Sequence, residues 1–193
     1  MGKNEFIKHR IGEEYLHRTQ GIEENTEFIK DAFIEINRIN RELFDLIPYQ
    51  VRFTSRDIYK SAAHMRERVQ RDGFIYIYDG WGGHPFLTQE ENNIGRAVHD
   101  VWSHLVCGCP FSFEGELTAY YEQRKHYPEW TWDVLFAEIV GQTCAYYSNN
   151  QSHDFNQRAI AAPSKWRLLA DVCILPDFSH NSILKPYNDV IFV

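Results

Sequence analysis

Between residues 99 and 142 the chain sets His99-Asp100, His104, Glu116, Glu138 and Gln142 into segments that are otherwise apolar and helix-like. Burying such groups is costly unless each finds a hydrogen-bond partner, an opposite charge or a metal ion. A chain carrying them folds only if its helices bring them together. The pattern therefore demands a helical domain organised around a polar centre.

The flanking sequence supplies the helices. From Asn25-Thr26-Glu27 onward, Phe28, Ile29, Ala32, Phe33, Ile36, Ile39, Leu43 and Phe44 recur at steps of three and four, which marks an amphipathic helix ended by Pro48. Residues 1–24 are polar and mixed in charge, with a short helix around Gly12 to Arg18. Val51-Arg52-Phe53-Thr54 is strand-like, and Thr54 or Ser55 caps a second helix to about Gln70, closed by Asp72-Gly73. Phe74-Ile75-Tyr76-Ile77-Tyr78 is the strongest strand signal, since every residue is β-branched or aromatic. The glycine-rich loop 79–85 has neither the spacing nor the Lys-Ser/Thr of a phosphate loop.

Thr88 and Glu91 form a capping box for the helix that carries His99, Asp100 and His104 and stops at Gly108-Cys109-Pro110. Further helices are predicted from Glu114 to about Lys125 and from Thr131 to about Tyr147. Beyond Ser148 the pattern loosens, with a short helical stretch around Trp166 to Ala170 and an extended end at Asp189 to Val193. The predicted fold is mainly α with a small β element (α+β). It reads as an N-terminal helical arm over 1–48, a compact core over 49–147 that carries the polar site, and an irregular C-terminal tail over 148–193 that packs on the core or on a partner.

Composition narrows the function. The 193 residues include 13 Phe, 11 Tyr and 5 Trp, enough for a sizeable core. A net charge of -7 argues against broad nucleic-acid binding, which needs a basic surface. No run of 18 apolar residues exists, so no membrane-spanning helix is expected, and the first residues lack the apolar stretch of a secretory signal. Cys107-Gly108-Cys109, Cys144 and Cys173 do not form paired C-x-x-C knuckles, so reduced thiols in a cytoplasmic compartment are expected.

On a helix Asp100 and His104 share a face, as do Glu138 and Gln142. His99 and His104, five residues apart, diverge by about 140° on an ideal helix. They converge only if the helix loosens near His104, which Gly108 and Pro110 allow. Two histidines and one carboxylate with open positions form the ligand set of catalytic zinc and mononuclear iron sites. On this reading His99, His104 and Glu138 are the metal ligands of a divalent zinc or iron ion. Asp100, Glu116 and Gln142 are then the catalytic acid–base or ligand-orienting groups. The same residues also fit a metal-free catalytic site or a buried hydrogen-bond network. His84 lies in a loop able to reach the site, whereas His64 and His126 read as surface or structural.

As a set, His99-Asp100…His104, Phe113 with Gly115-Glu116…Ala119, and Glu138…Gln142 resemble an uncharacterised protein family of bacteriophages and other mobile elements, over roughly residues 84 to 150. The resemblance implies a phage-encoded protein working in the host cytoplasm or built into the virion, and carries no established activity. His99-Asp100…His104 with Glu138 is also locally similar to the iron motif of aromatic amino acid hydroxylases. That family usually has Gly where this chain has Ser103 and a Pro soon after the second histidine. The His-Asp dipeptide is shared with HD-type phosphohydrolases, with His64 and Asp133 or Asp171 as the other ligands, but that pattern leaves His104, Glu116 and Glu138 unused.

Two functional classes follow. One is a metal-dependent enzyme, hydrolytic or of the mononuclear non-haem iron type. The other is a virion structural or assembly protein, oligomeric or bound to other phage proteins, in which the His/Asp/Glu cluster holds the fold together.

Overall fold

In the computed structural model, which describes residues 2–17, 26–80, 83–152 and 157–183, the predicted amphipathic helix is α2, Thr26–Asp45. Its apolar stripe, from Ile29 through Phe33 and Ile36 to Leu43, is buried, because each step of three or four returns a side chain to the same face. Ahead of it, α1 spans Lys3–His17 and is longer than the short helix expected around Gly12. The large apolar side chains on its buried face are only Ile7, Ile11 and Tyr15, beside Lys8 and Gly12, one per turn and too sparse to stand out among polar neighbours. Gly12 is the reason α1 fits, since a Cβ there would lie 2.2 Å from the Cys144 carbonyl oxygen across the helix interface.

Strands β1, Gln50–Thr54, and β2, Phe74–Tyr78, pair in parallel from Gln50↔Phe74 to Thr54↔Tyr78. Parallel neighbours require a crossover, and α3, Ala62–Asp72, provides it. Ser61 caps α3, and Gly73, in the left-handed region at φ 73°, closes it by donating its N–H to the Val69 carbonyl. Ile75 and Ile77 point into the core.

After β2 come α4, Gln89–His99; α5, Phe113–Gln123; α6, Trp132–Phe136; α7, Gln142–Ser148; and α8, Ser164–Ala170. The capping box at the head of α4 is present: Thr88 Oγ1 accepts from the Glu91 N–H at 3.2 Å, and Glu91 Oε2 accepts from the Thr88 N–H at 2.9 Å. Replacing Thr88 by alanine is expected to cost about 1 kcal/mol, readable by denaturant unfolding. Two stretches depart from α geometry. Asp100–Val106 continues α4 as a π-helix, with the Cys107 N–H bonded to the Trp102 carbonyl five residues back, and Ala137–Gly141 joins α6 to α7 in the same way.

The architecture is thus mainly helical with a two-stranded parallel sheet. One hydrophobic cluster takes in Ile11 and Tyr15 of α1, Phe33 of α2, Ile77 of β2, Val98 of α4, Leu117 of α5, Phe136 of α6 and Trp166 of α8. The predicted end strand 189–193 and the residue Arg18 lie outside the described residues. Among the described residues no helix is long and apolar enough to cross a membrane, and all four cysteines are free thiols.

Candidate metal centre

The loosening expected near His104 takes the form of the π-helical turn. In α geometry residues five apart diverge, whereas a π-helix bonds i to i+5 and stacks them. The His99 and His104 rings accordingly sit 4.9 Å apart, centroid to centroid. His99, Asp100 and His104 each offer a ligand atom, and these atoms lie within 4.8 Å of one another, so the group can hold a metal ion.

Helix α5 reaches the histidines from the other side. Ser112 caps it, accepting from the Gly115 N–H at 3.2 Å, which places Glu116 in the first turn, where the helix dipole favours an anion. The Glu116 carboxylate spans both rings: Oε2 lies 3.0 Å from His99 Nε2 and Oε1 lies 3.5 Å from His104 Nε2. Gln123, two turns further along the same face, holds the opposite edge of His99, with Oε1 3.1 Å from Nδ1. The Gln123 amide is oriented in turn by donating to Tyr127 Oη at 3.3 Å, and Tyr127 donates to Asn40.

His104 is held by the 107–112 loop. Its Nδ1 lies 2.8 Å from the Cys109 carbonyl oxygen, and its ring meets Phe111 edge-on at 4.5 Å. Gly108, at φ 74°, turns the loop back, and Arg66 of α3 donates to the His104 carbonyl at 3.3 Å. Both imidazoles therefore face an oxygen acceptor at Nδ1. A carbonyl cannot donate, so in the neutral rings the proton sits on Nδ1 and the Nε2 lone pairs point at Glu116.

Electrostatics follow from this convergence. Burial disfavours a proton on His99, yet the charge and hydrogen bond of Glu116, with Asp100, outweigh it and bring its pKa to about 9. Burial lowers His104 to about 4 against the pull of Glu116. Glu116 stays below the usual carboxylate range because the two histidines overcome its burial. Without a metal a single proton thus lies between the two Nε2 atoms and Glu116, on His99 Nε2, and His104 Nε2 faces the carboxylate with none. Asp100 is raised by burial, and further by Glu116, to about 6.

The remaining predicted residues stand close by. A cavity of about 630 Å³ has His99, Asp100, His104, Glu116, Glu138 and Gln142 in its wall. Glu138 belongs to the cavity but not to the three-residue ligand group. Its Oε2 accepts from Gln142 Nε2 at 2.9 Å, and burial pushes its pKa up to about 8. The carboxylate that meets the imidazoles is Glu116. His64 accepts the Lys60 N–H, Asp133 pairs with Arg167 at 2.7 Å and Asp171 accepts from Tyr121; among the described residues none of the three joins the His99–Asp100–His104 group. Gln123 was missed in the sequence, although its place seven residues after Glu116 on one helix face was a usable signal. The Cys109 carbonyl has no side-chain signature at all.

Comparison with family models, curated proteins and solved structures found no match for this chain.

Proposed function

We propose that the chain is a divalent-metal-dependent enzyme, with hydrolysis as its chemistry. The observation that carries the reading is the meeting of two imidazole Nε2 lone pairs with the Glu116 carboxylate in a cavity wall, each ring fixed by an acceptor at Nδ1. Such orientation is characteristic of metal-bound histidines, and a cation satisfies all three groups where a single proton satisfies only one contact. His99 and His104 would hold the ion together with Glu116, and Asp100 adds a fourth donor. A zinc or iron ion there supplies Lewis acidity.

The chain's own groups do the rest. Gln123 and the Cys109 carbonyl keep both Nε2 atoms aimed, and Phe33, Ile36 and Leu135 add apolar surface to a cavity wall of mostly polar residues. Glu138, which burial raises to about 8 in the metal-free protein, is the carboxyl left free of the ligand group to hold and release a proton near neutrality, which suits hydrolysis.

Elemental analysis of the untagged protein is expected to find close to one equivalent of zinc or iron, lost in a His104→Ala variant that stays folded by circular dichroism. Because binding must displace the proton on His99, apparent affinity is expected to climb about tenfold per pH unit from pH 7 until pH 9. Isothermal titration in buffers of different ionisation enthalpy reads the released proton directly. The protonated His99–Glu116 pair is itself a satisfied ion contact, which supports the second reading of a structural network. Absence of metal in both proteins, with the variant only less stable, would select that reading.

A further inference from the structure

His84 and Glu138 meet at the edge of the cavity in a contact that the ligand group does not use. Glu138 faces the cavity, and His84 stands behind it with its side chain fully buried. His84 Nδ1 accepts two backbone N–H groups, from Phe86 at 3.1 Å and Leu87 at 3.0 Å. Its ring proton is therefore on Nε2, and His84 cannot offer that atom to a metal without breaking the turn. Nε2 lies 4.0 Å from Glu138 Oε1, and neither atom has a hydrogen-bond partner among the described residues. A donor and an acceptor, both buried, face each other just beyond bonding distance. The Phe33 ring packs edge-on to the imidazole at 4.5 Å and holds it there.

We propose that Glu138 is the proton-handling carboxyl of this cavity and that His84 is the positioning residue that catches its free oxygen when the proton leaves. The inference rests on the hydrolytic reading of the same cavity. Water adds to an acyl or phosphoryl centre, and the bond to the leaving nitrogen or oxygen breaks. That atom keeps the electron pair and takes the Glu138 proton. The carboxylate is then drawn onto His84 Nε2–H, and the proton released by the attacking water restores the acid. The substrate class implied is an amide or ester whose leaving group departs poorly unless protonated.

The groups acting on Glu138 are consistent with this role. Arg96 from α4 favours the ionised form, Gln142 on the next turn donates to Oε2, and Tyr15 from α1 lies within electrostatic reach, yet burial outweighs the first two and keeps the proton on.

The test uses the metal-free full chain with carboxyl-labelled glutamate, followed by NMR across pH. One glutamate is expected to titrate well above the others and to vanish in Glu138→Gln. In His84→Asn the side-chain oxygen still accepts the Phe86 and Leu87 N–H groups, but nothing reaches Glu138. Its proton affinity is then expected to rise about tenfold, the worth of one hydrogen bond to a charged group. Imidazole nitrogen signals of the unsubstituted protein give a reading free of folding effects: His84 should be the Nε2–H tautomer, its shift following the Glu138 midpoint. No elevated glutamate, or a midpoint unmoved in His84→Asn with a His84 signal indifferent to it, overturns the proposal. Both readings are taken without metal, so failure of the metal site would show separately, in the elemental analysis.

Discussion

Gly115→Ala is expected to destabilise the protein by about 3 kcal/mol, at the upper end of what overpacking costs, and to weaken metal binding in the molecules that still fold. A Cβ at this position would lie 2.0 Å from the Pro110 carbonyl oxygen and 2.9 Å from its carbon. Those are backbone atoms of the loop that holds His104, so no side-chain rotation relieves the contact. Alanine brings about 1 kcal/mol of helix propensity, less than the clash, so the net sign is destabilising. To relieve it, α5 must back away from the 107–112 loop and carry Glu116 off both imidazoles. Loss of ligand orientation typically lowers metal affinity ~10–100-fold. Gly12→Ala is the matched control. Its Cβ would meet the Cys144 carbonyl oxygen at 2.2 Å between α1 and α7, away from the histidines. Denaturant melts should show comparable losses, whereas metal titration should show weakening only for Gly115→Ala. Wild-type affinity in a destabilised Gly115→Ala protein would remove Glu116 from the ligand set.

The contrast between these two glycines shows what was legible in the sequence. The apolar stripe of α2, the capping box at Thr88 and the β-rich run 74–78 each state their structure locally, through periodicity or a paired side chain, and each appears where expected. The convergence of His99 and His104 was legible as a condition, since five-residue spacing fails in an α-helix. That the condition is met by a π-helical turn depends on how the Cys107 and Cys109 N–H groups find the Trp102 and Ser103 carbonyls, which no side chain announces. Which carboxylate meets the rings was not legible. Glu116 and Glu138 both sit in apolar helices, and periodicity gives the face of a helix but not the neighbour that face meets. The same holds for Gly12 and Gly115, where glycine in a helix reads as a weakness until the backbone pressed against it is known.

A Glu138→Gln variant is expected to be more stable than the parent at pH 8, by an amount that shrinks to nothing near pH 4.5. In the folded metal-free protein burial raises the Glu138 carboxyl to about 8 from the ordinary 4.5. Between those values the folded state binds a proton that the unfolded chain has released. The protein's stability therefore falls as pH rises through this window, and the full penalty is reached above about pH 8. Glutamine is neutral throughout and can still bond Gln142, so the variant escapes the penalty. The shift corresponds to a gain on the order of 2 kcal/mol, after allowing for the 20% of the Glu138 side chain that stays accessible. His99, His104 and Asp100 titrate in both proteins and cancel in the difference. Melts of the two metal-free proteins from pH 4.5 to 9 measure it. A difference that does not change with pH would mean that Glu138 is already ionised in the fold. A variant less stable at pH 8 would mean that the carboxylate has a cationic partner stronger than Arg96, and in either case the cavity would lack its proton donor.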